Sequence, residues 1–138
     1  MKPPTEGPNT RELSTYVKEG LQTIIQRFQA GVQRHPDQVA LVANDQSLSY
    51  QSLDERSDQV AALLLRHQLP HETMLPLFCT RSVESIIGML GVLKAGCAYV
   101  PVIPDYPKDR IDYILKEIQA PLILCENNTA DRAQAFGI

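Results

Sequence analysis

Residues 93–115, LKAGCAYVPVIPDYPKDRIDYIL, constrain the fold more than any other stretch, because a helix end, a strand and a new helix start follow one another with no spare residue. Gly96 can take the left-handed conformation that stops a helix after Lys94 and Ala95. Cys97, Ala98, Tyr99 and Val100 are small or β-prone and suit a buried strand. Pro101 and Pro104 each lack a ladder donor and so end that strand, while Pro107 has the fixed φ that suits the first position of a helix. Ile111, Ile114, Leu115 and Ile118 then recur at helical spacing.

The rest of the chain repeats this alternation of strand and helix, which predicts an α/β fold of parallel βαβ units. Residues 1–10, MKPPTEGPNT, are polar and Pro-rich and read as a disordered lead. An amphipathic helix begins after Leu13, carries Leu21, Ile24, Ile25, Phe28 and Val32 on one face, and ends at His35-Pro36-Asp37. Val39–Ala43 is a short apolar strand, Asn44-Asp45-Gln46-Ser47 a turn, and Leu48 the return strand. A second helix turns Leu53, Val60 and Leu64 inward. After a break at Pro70, residues 74–79 form a strand in which Pro76 would interrupt a central ladder, so an edge position or a bulge is predicted there. Ser82 caps a third helix whose Val83, Ile86, Ile87, Leu90 and Leu93 leave little polar face, as expected of a helix buried between layers. A fourth helix runs to Gln119, and residues 121–125 make a further strand.

A chain of 138 residues, 43% hydrophobic, is long enough for one core and short for two domains. Its net charge of -3, with Lys and Arg scattered, gives no electrostatic footprint for nucleic acid. No apolar run approaches the ~20 residues needed to cross a membrane, and the first residues lack a signal-peptide apolar region, so a cytoplasmic protein is expected. Cys79, Cys97 and Cys125 are odd in number and lie in apolar strand contexts, which favours buried free thiols over disulfides or a metal site. His67 and His71 have the spacing of a zinc pair, but Pro70 breaks the helix that would align them and no third ligand is evident. Asp54, Glu55 and Asp58 surround Arg56 on the polar side of a helix and read as a solvated face. Lys94 precedes a glycine, yet no Gly-rich loop leads into it, and a cation in a last helical turn is already favoured by the helix dipole. Asn127-Asn128-Thr129 matches a glycosylation sequon that a cytoplasmic chain would not use.

The corner string resembles the LKAGxAYVPxDPxYPxxRIxYxL core motif of the adenylation domains of nonribosomal peptide synthetases, within the acyl-adenylate-forming (AMP-dependent synthetase and ligase) family. Leu93, Lys94, Ala95, Gly96, Ala98, Tyr99, Val100, Pro101, Pro104, Tyr106, Pro107, Arg110, Ile111, Tyr113 and Leu115 match it in unbroken register. Upstream, Leu48-Ser49-Tyr50-Gln51-Ser52-Leu53 is similar to that family's first core motif, L-[ST]-Y-x-E-L. The resemblance covers about residues 21–126. Four departures are physical rather than chemical: Ile103 stands for the usual Asp, Ser52 for the Glu of a capping box, residues 68–73 for a Gly-rich turn, and Pro76 lies within a strand.

The resemblance implies that residues 13–138 are part of the N-terminal subdomain of an adenylation domain, preceded by a disordered lead over residues 1–12. It implies that the complete domain uses ATP and Mg to make an aminoacyl adenylate and loads it on the phosphopantetheine of a carrier protein domain. The expected partners are the remainder of the adenylation domain and that carrier, with neither nucleic acid nor membrane. The family's phosphate loop, substrate pocket and catalytic lysine have no counterpart in the sequence, so none of its residues is expected to be catalytic, cofactor-binding or metal-binding. A remnant or assembly module that pairs with another chain, and a fragment of an aryl- or fatty-acid-activating ligase, are the alternatives.

Overall fold

The computed structural model describes residues 23–137; the expected lead, the helical residues between Leu13 and Gln22, and Leu21 among them lie outside that range. Helix α1 (Ile24–Arg34) opens with a reciprocal capping box in which the Gln26 amide donates to Thr23 Oγ1 (3.1 Å) and the Thr23 amide to Gln26 Oε1 (2.9 Å). Ile25 and Phe28 pack inward, whereas Ile24 is 65% exposed and leaves the face predicted for it. Strands β1 (Val39–Ala43) and β2 (Gln46–Ser49) form an antiparallel hairpin. Its turn is tighter than expected, because Asn44 (φ 50°) and Asp45 (φ 63°) both adopt the left-handed conformation of a two-residue hairpin loop. Gln46 and Ser47 are therefore already paired, with Ala43 and Val42.

Helix α2 (Tyr50–Leu65) is capped by Ser49, which accepts from the Ser52 amide at 3.1 Å. The Ser52 hydroxyl does not return a bond to the Ser49 backbone and instead accepts from Ser49 Oγ, the weaker start expected of Ser in place of Glu. Helix α3 (Val83–Lys94) shows that Ser can complete a box: Ser85 N donates to Ser82 Oγ (3.2 Å) and Ser82 N to Ser85 Oγ (3.3 Å).

Between these helices runs β3 (Met74–Phe78), with β4 (Ala98–Pro101) parallel to it on one side and β5 (Leu124–Cys125) parallel on the other. The expected parallel βαβ units are thus present, but β3 is central, and the edge position predicted from Pro76 is wrong. Odd residues of β3 bond toward β4: Thr73 O accepts from Ala98 N and Leu77 O from Val102 N. Pro76 therefore turns its missing donor toward the other neighbour, and β5 pairs only from Leu77 onward. The strand expected over residues 121–125 is for the same reason only two residues long.

The sheet has a core on each face. Leu75 joins Leu64, Val92 and Cys97 on the α2/α3 side, while Phe78 joins Val102, Ile111 and Leu115 beneath α4 (Lys108–Glu117). A third cluster, Leu53, Val83, Ile87 and Leu90, binds α3 to α2 and the hairpin. Helix α3 thus meets protein on several sides, as its nearly all-apolar sequence requires. Close approach to α2 depends on Gly91, where a Cβ would come within 2.6 Å of Val60 side-chain atoms. Past β5, a 3₁₀ turn (Asn127–Thr129) leads to the short helix α5 (Ala130–Gln134).

Gly96 closes α3 at φ 77°, with Gly96 N donating to Leu93 O and Cys97 N to Val92 O. Helix α4 stops at Glu117, before the predicted Gln119, because Gln119 (φ 51°) occupies the same left-handed position and Ala120 N donates to Leu115 O. Pro107 is the residue before the first helical one; its extended ψ of 144° directs its carbonyl to the amides of Arg110 and Ile111.

Candidate functional site

In open α/β sheets the crevice outside the carboxyl ends of the strands is where ligands bind. Here the carboxyl ends of β3 and β5 are joined by one side chain, Glu126. Its Oε1 accepts from the Thr80 amide (2.5 Å) and the Thr80 hydroxyl (2.6 Å), and its Oε2 from the Ser82 hydroxyl (3.0 Å). Burial alone would raise this carboxyl, but the bonds from Thr80 and Ser82 outweigh it and hold it below the usual glutamate value. A second tie lies beside it, where the buried Thr129 hydroxyl donates to Phe78 O at 2.7 Å.

Two clefts flank the turn of residues 79–82. One, of about 420 Å³, has an apolar floor that includes Met89, Val102 and Pro104, with Arg81 and Asp105 at its rim. The other, of about 360 Å³, runs between α2, α3 and β5 past Val60, Leu63, Leu124 and Glu126. Cys79 and Leu77 line both. Desolvation, then the Glu126 charge, pushes the Cys79 thiol up to about 12, which keeps it protonated and a poor nucleophile.

The second polar centre is Lys94. Its side chain is only 6% exposed, and Nζ donates to Asp54 Oδ1 (2.6 Å), Asp58 Oδ1 (2.7 Å) and Asp54 O (3.2 Å), 5.5 Å from the centre of the Phe28 ring. Lys94 is thus structural, as its helix-end position suggested, but by an ion pair rather than by the dipole alone. For Asp54, 26% exposed, the solvated-face reading is corrected, whereas Asp58 stays at the surface; the two carboxylates lie one helical turn apart and converge on a cation that arrives on α3. Glu55 keeps to the surface, bonded to Gln51. The i, i+4 acidic stripe was the available signal, and its partner stands 40 residues away in sequence.

The other candidates resolve locally. His67 and His71 lie in the turn that Pro70 interrupts, and among the described residues no group of three or more His, Cys, Asp or Glu could hold a metal. The cysteines are free, as predicted, but only Cys97 is buried; Cys79 is half-buried and Cys125 exposed, because strand alternation turns Leu124 inward and its neighbour out. Thr129 of the sequon is spent on Phe78. No described helix is long and apolar enough to cross a membrane.

The hydroxyls and the Thr80 amide that could greet an anion are taken by Glu126. The carboxylate itself would repel a polyphosphate, so this crest does not fit the phosphates of ATP.

The chain matches the family model described as AMP-binding enzyme over residues 28–137. It is 41% identical over 110 residues to gramicidin S synthase 2 of Brevibacillus brevis, covering 80% of this chain and 2% of that protein. With surfactin synthase subunit 3 of Bacillus subtilis (strain 168) it shares 36% identity over 133 residues, 96% of this chain and 10% of the relative. Among solved structures it resembles the Klebsiella oxytoca NpsA N-terminal subdomain in complex with 3-hydroxyanthranilyl-AMSN, with a TM-score of 0.71 and 30% identity, over 80% of this chain and 28% of that one. An artificially fused NpsA-ThdA adenylation-PCP di-domain from the same organism gives a TM-score of 0.72 at 29% identity, over 79% of this chain and 21% of the other. The chain therefore spans a small part of each relative.

Proposed function

Because the chain belongs to the AMP-binding enzyme family, and within it to the adenylation domains of nonribosomal peptide synthetases, we propose that residues 13–138 form the opening scaffold of the large subdomain of an amino-acid-activating domain. The complete domain joins an amino acid carboxylate to the α-phosphate of ATP, releasing pyrophosphate, and passes the aminoacyl group as a thioester to the phosphopantetheine of a carrier protein domain in the cytoplasm. ATP and Mg, when bound, supply the activated phosphate and its charge neutralisation, and the groups that hold them lie outside these residues. This chain contributes the sheet, its two flanking cores and the corner at Gly96.

The observation that carries the reading is the corner itself, residues 93–115, whose matched positions are spent on a helix stop, a strand and a helix start. An aryl acid as substrate is the second reading. It is favoured by the solved neighbours that carry 3-hydroxyanthranilyl, anthranilyl and 3-hydroxybenzoyl groups on AMSN. The test is exchange of labelled pyrophosphate into ATP by the complete polypeptide, screened with amino, aryl and fatty acids. Exchange driven by one amino acid is expected; exchange driven only by an aryl or fatty acid overturns the assignment.

A further inference from the structure

We propose that the Glu126 carboxylate is a releasable latch that holds the turn of residues 79–82 closed as the wall between the two clefts, so that its release joins them into one crevice along the carboxyl ends of the sheet. Thr80 lines the first cleft and Glu126 the second, and the bonds between them cross the wall. Leu77 and Cys79, the residues that line both clefts, lie directly behind that contact. From the β5 side the turn is held by one side chain: all three donors, from Thr80 and Ser82, end on the same carboxylate, so one change of rotamer severs that tie, while Asn44 Nδ2, donating to Arg81 O at 3.2 Å, keeps the turn tethered to the hairpin. The second tie, from Thr129 to Phe78, anchors the 3₁₀ turn to β3 itself and stays in place when the carboxylate swings away. A carboxylate held in its charged form suits this duty, because it accepts several bonds at once.

The three free cysteines are built-in reporters. Cys79 sits at the latch, Cys125 is exposed, and Cys97 is buried in the α2/α3 core. The experiment measures labelling of each cysteine by a neutral maleimide, followed by mass spectrometry, in the full chain and in Glu126→Asp. That substitution keeps the charge beside the Cys79 thiol but withdraws the carboxylate from Thr80 and Ser82. Loss of hydrogen bonds to a charged group should raise the open population about tenfold. Cys79 labelling is therefore expected to accelerate about tenfold, with Cys97 and Cys125 unchanged. Thr80→Val, which removes one donor of three, should give a smaller acceleration confined to the same site. An unchanged Cys79 rate in both variants, or Cys79 and Cys97 accelerating together in both, overturns the latch.

Discussion

The corner at Gly96 leads into one strand of the sheet and the crest at Glu126 lies past the ends of two others, yet they are built in opposite ways. In the corner the helix stop and the helix start are set locally, by a glycine at φ 77°, prolines with fixed φ and bonds that span five residues or fewer, and only the Gly96 carbonyl and the strand between them pair with a distant segment. The crest is made by contacts between residues 44 to 51 positions apart, Glu126 with Ser82 and Thr80, and Thr129 with Phe78. Lys94 combines the two kinds of constraint, ending a helix locally while reaching back 40 positions to Asp54. Local constraint leaves a spelling in the sequence, and long-range pairing does not.

Removing Lys94 should break the comparison at its strongest point. Lys94→Met leaves two carboxylates facing an apolar end, and after discounting for the exposure of Asp58 we expect a loss of about 2–3 kcal/mol in urea unfolding. A loss below that of a single exposed ion pair would contradict a structural role for the pairing of Lys94 with Asp54 and Asp58.

Gly96→Ala tests the corner. The new Cβ would sit 2.9 Å from His71 Nδ1 in a left-handed backbone, at a cost of about 1–2 kcal/mol by thermal melting. The caps come next. Ser82→Ala loses the cap bond from the Ser85 amide and the bond to Glu126, about 1–2 kcal/mol, whereas Ser49→Ala loses the cap bond from the Ser52 amide and no long-range tie, about 1 kcal/mol or less. Equal losses would mean that the tie of Ser82 to Glu126 adds nothing to its cap.

The latch also carries a pH signature. The folded-state value of Glu126 lies below its unfolded one, so its contribution is complete above the ordinary glutamate range and is lost as pH falls through the folded value. Stability of the parent chain should fall over that acid window, and Glu126→Gln should flatten the fall.

The smallest effect concerns a helix stop that the sequence hid. Gln119 does for α4 what Gly96 does for α3, and Gln119→Gly should stabilise by about 0.5–1 kcal/mol by removing the left-handed strain. Because a glutamine does not announce that conformation, α4 was read two residues too long. Pro76 misled for a related reason: proline does argue against a central strand, but only on the side where a neighbour needs its donor, and neighbour length is not written in β3. The hydrophobic period located α2, α3 and α4 and most of their buried faces, since burial is periodic wherever one face meets a core. Ile24 escaped it as the first residue of its helix. The candidate site was the least legible part, with Glu126, Thr80 and Ser82 carrying no motif and meeting only through the parallel pairing of β3 with β5.

Among the described residues both outer strands, β4 and β5, have one unpaired edge, and Leu63, Met74 and Ile103 are each about half exposed or more. Alone, the chain should therefore associate with rising concentration in sedimentation velocity and bind a hydrophobic dye. A monodisperse monomer with a sharp melt would favour a self-contained module.

The central claim, that this chain supplies scaffold to an adenylation domain, is met most directly by a chimera. Residues 28–137 would replace the matching segment of one adenylation domain of gramicidin S synthase 2, and amino-acid-dependent pyrophosphate exchange would be measured. The account predicts a folded enzyme that still exchanges and keeps the host's amino acid preference. A folded chimera whose acid preference changes would contradict it.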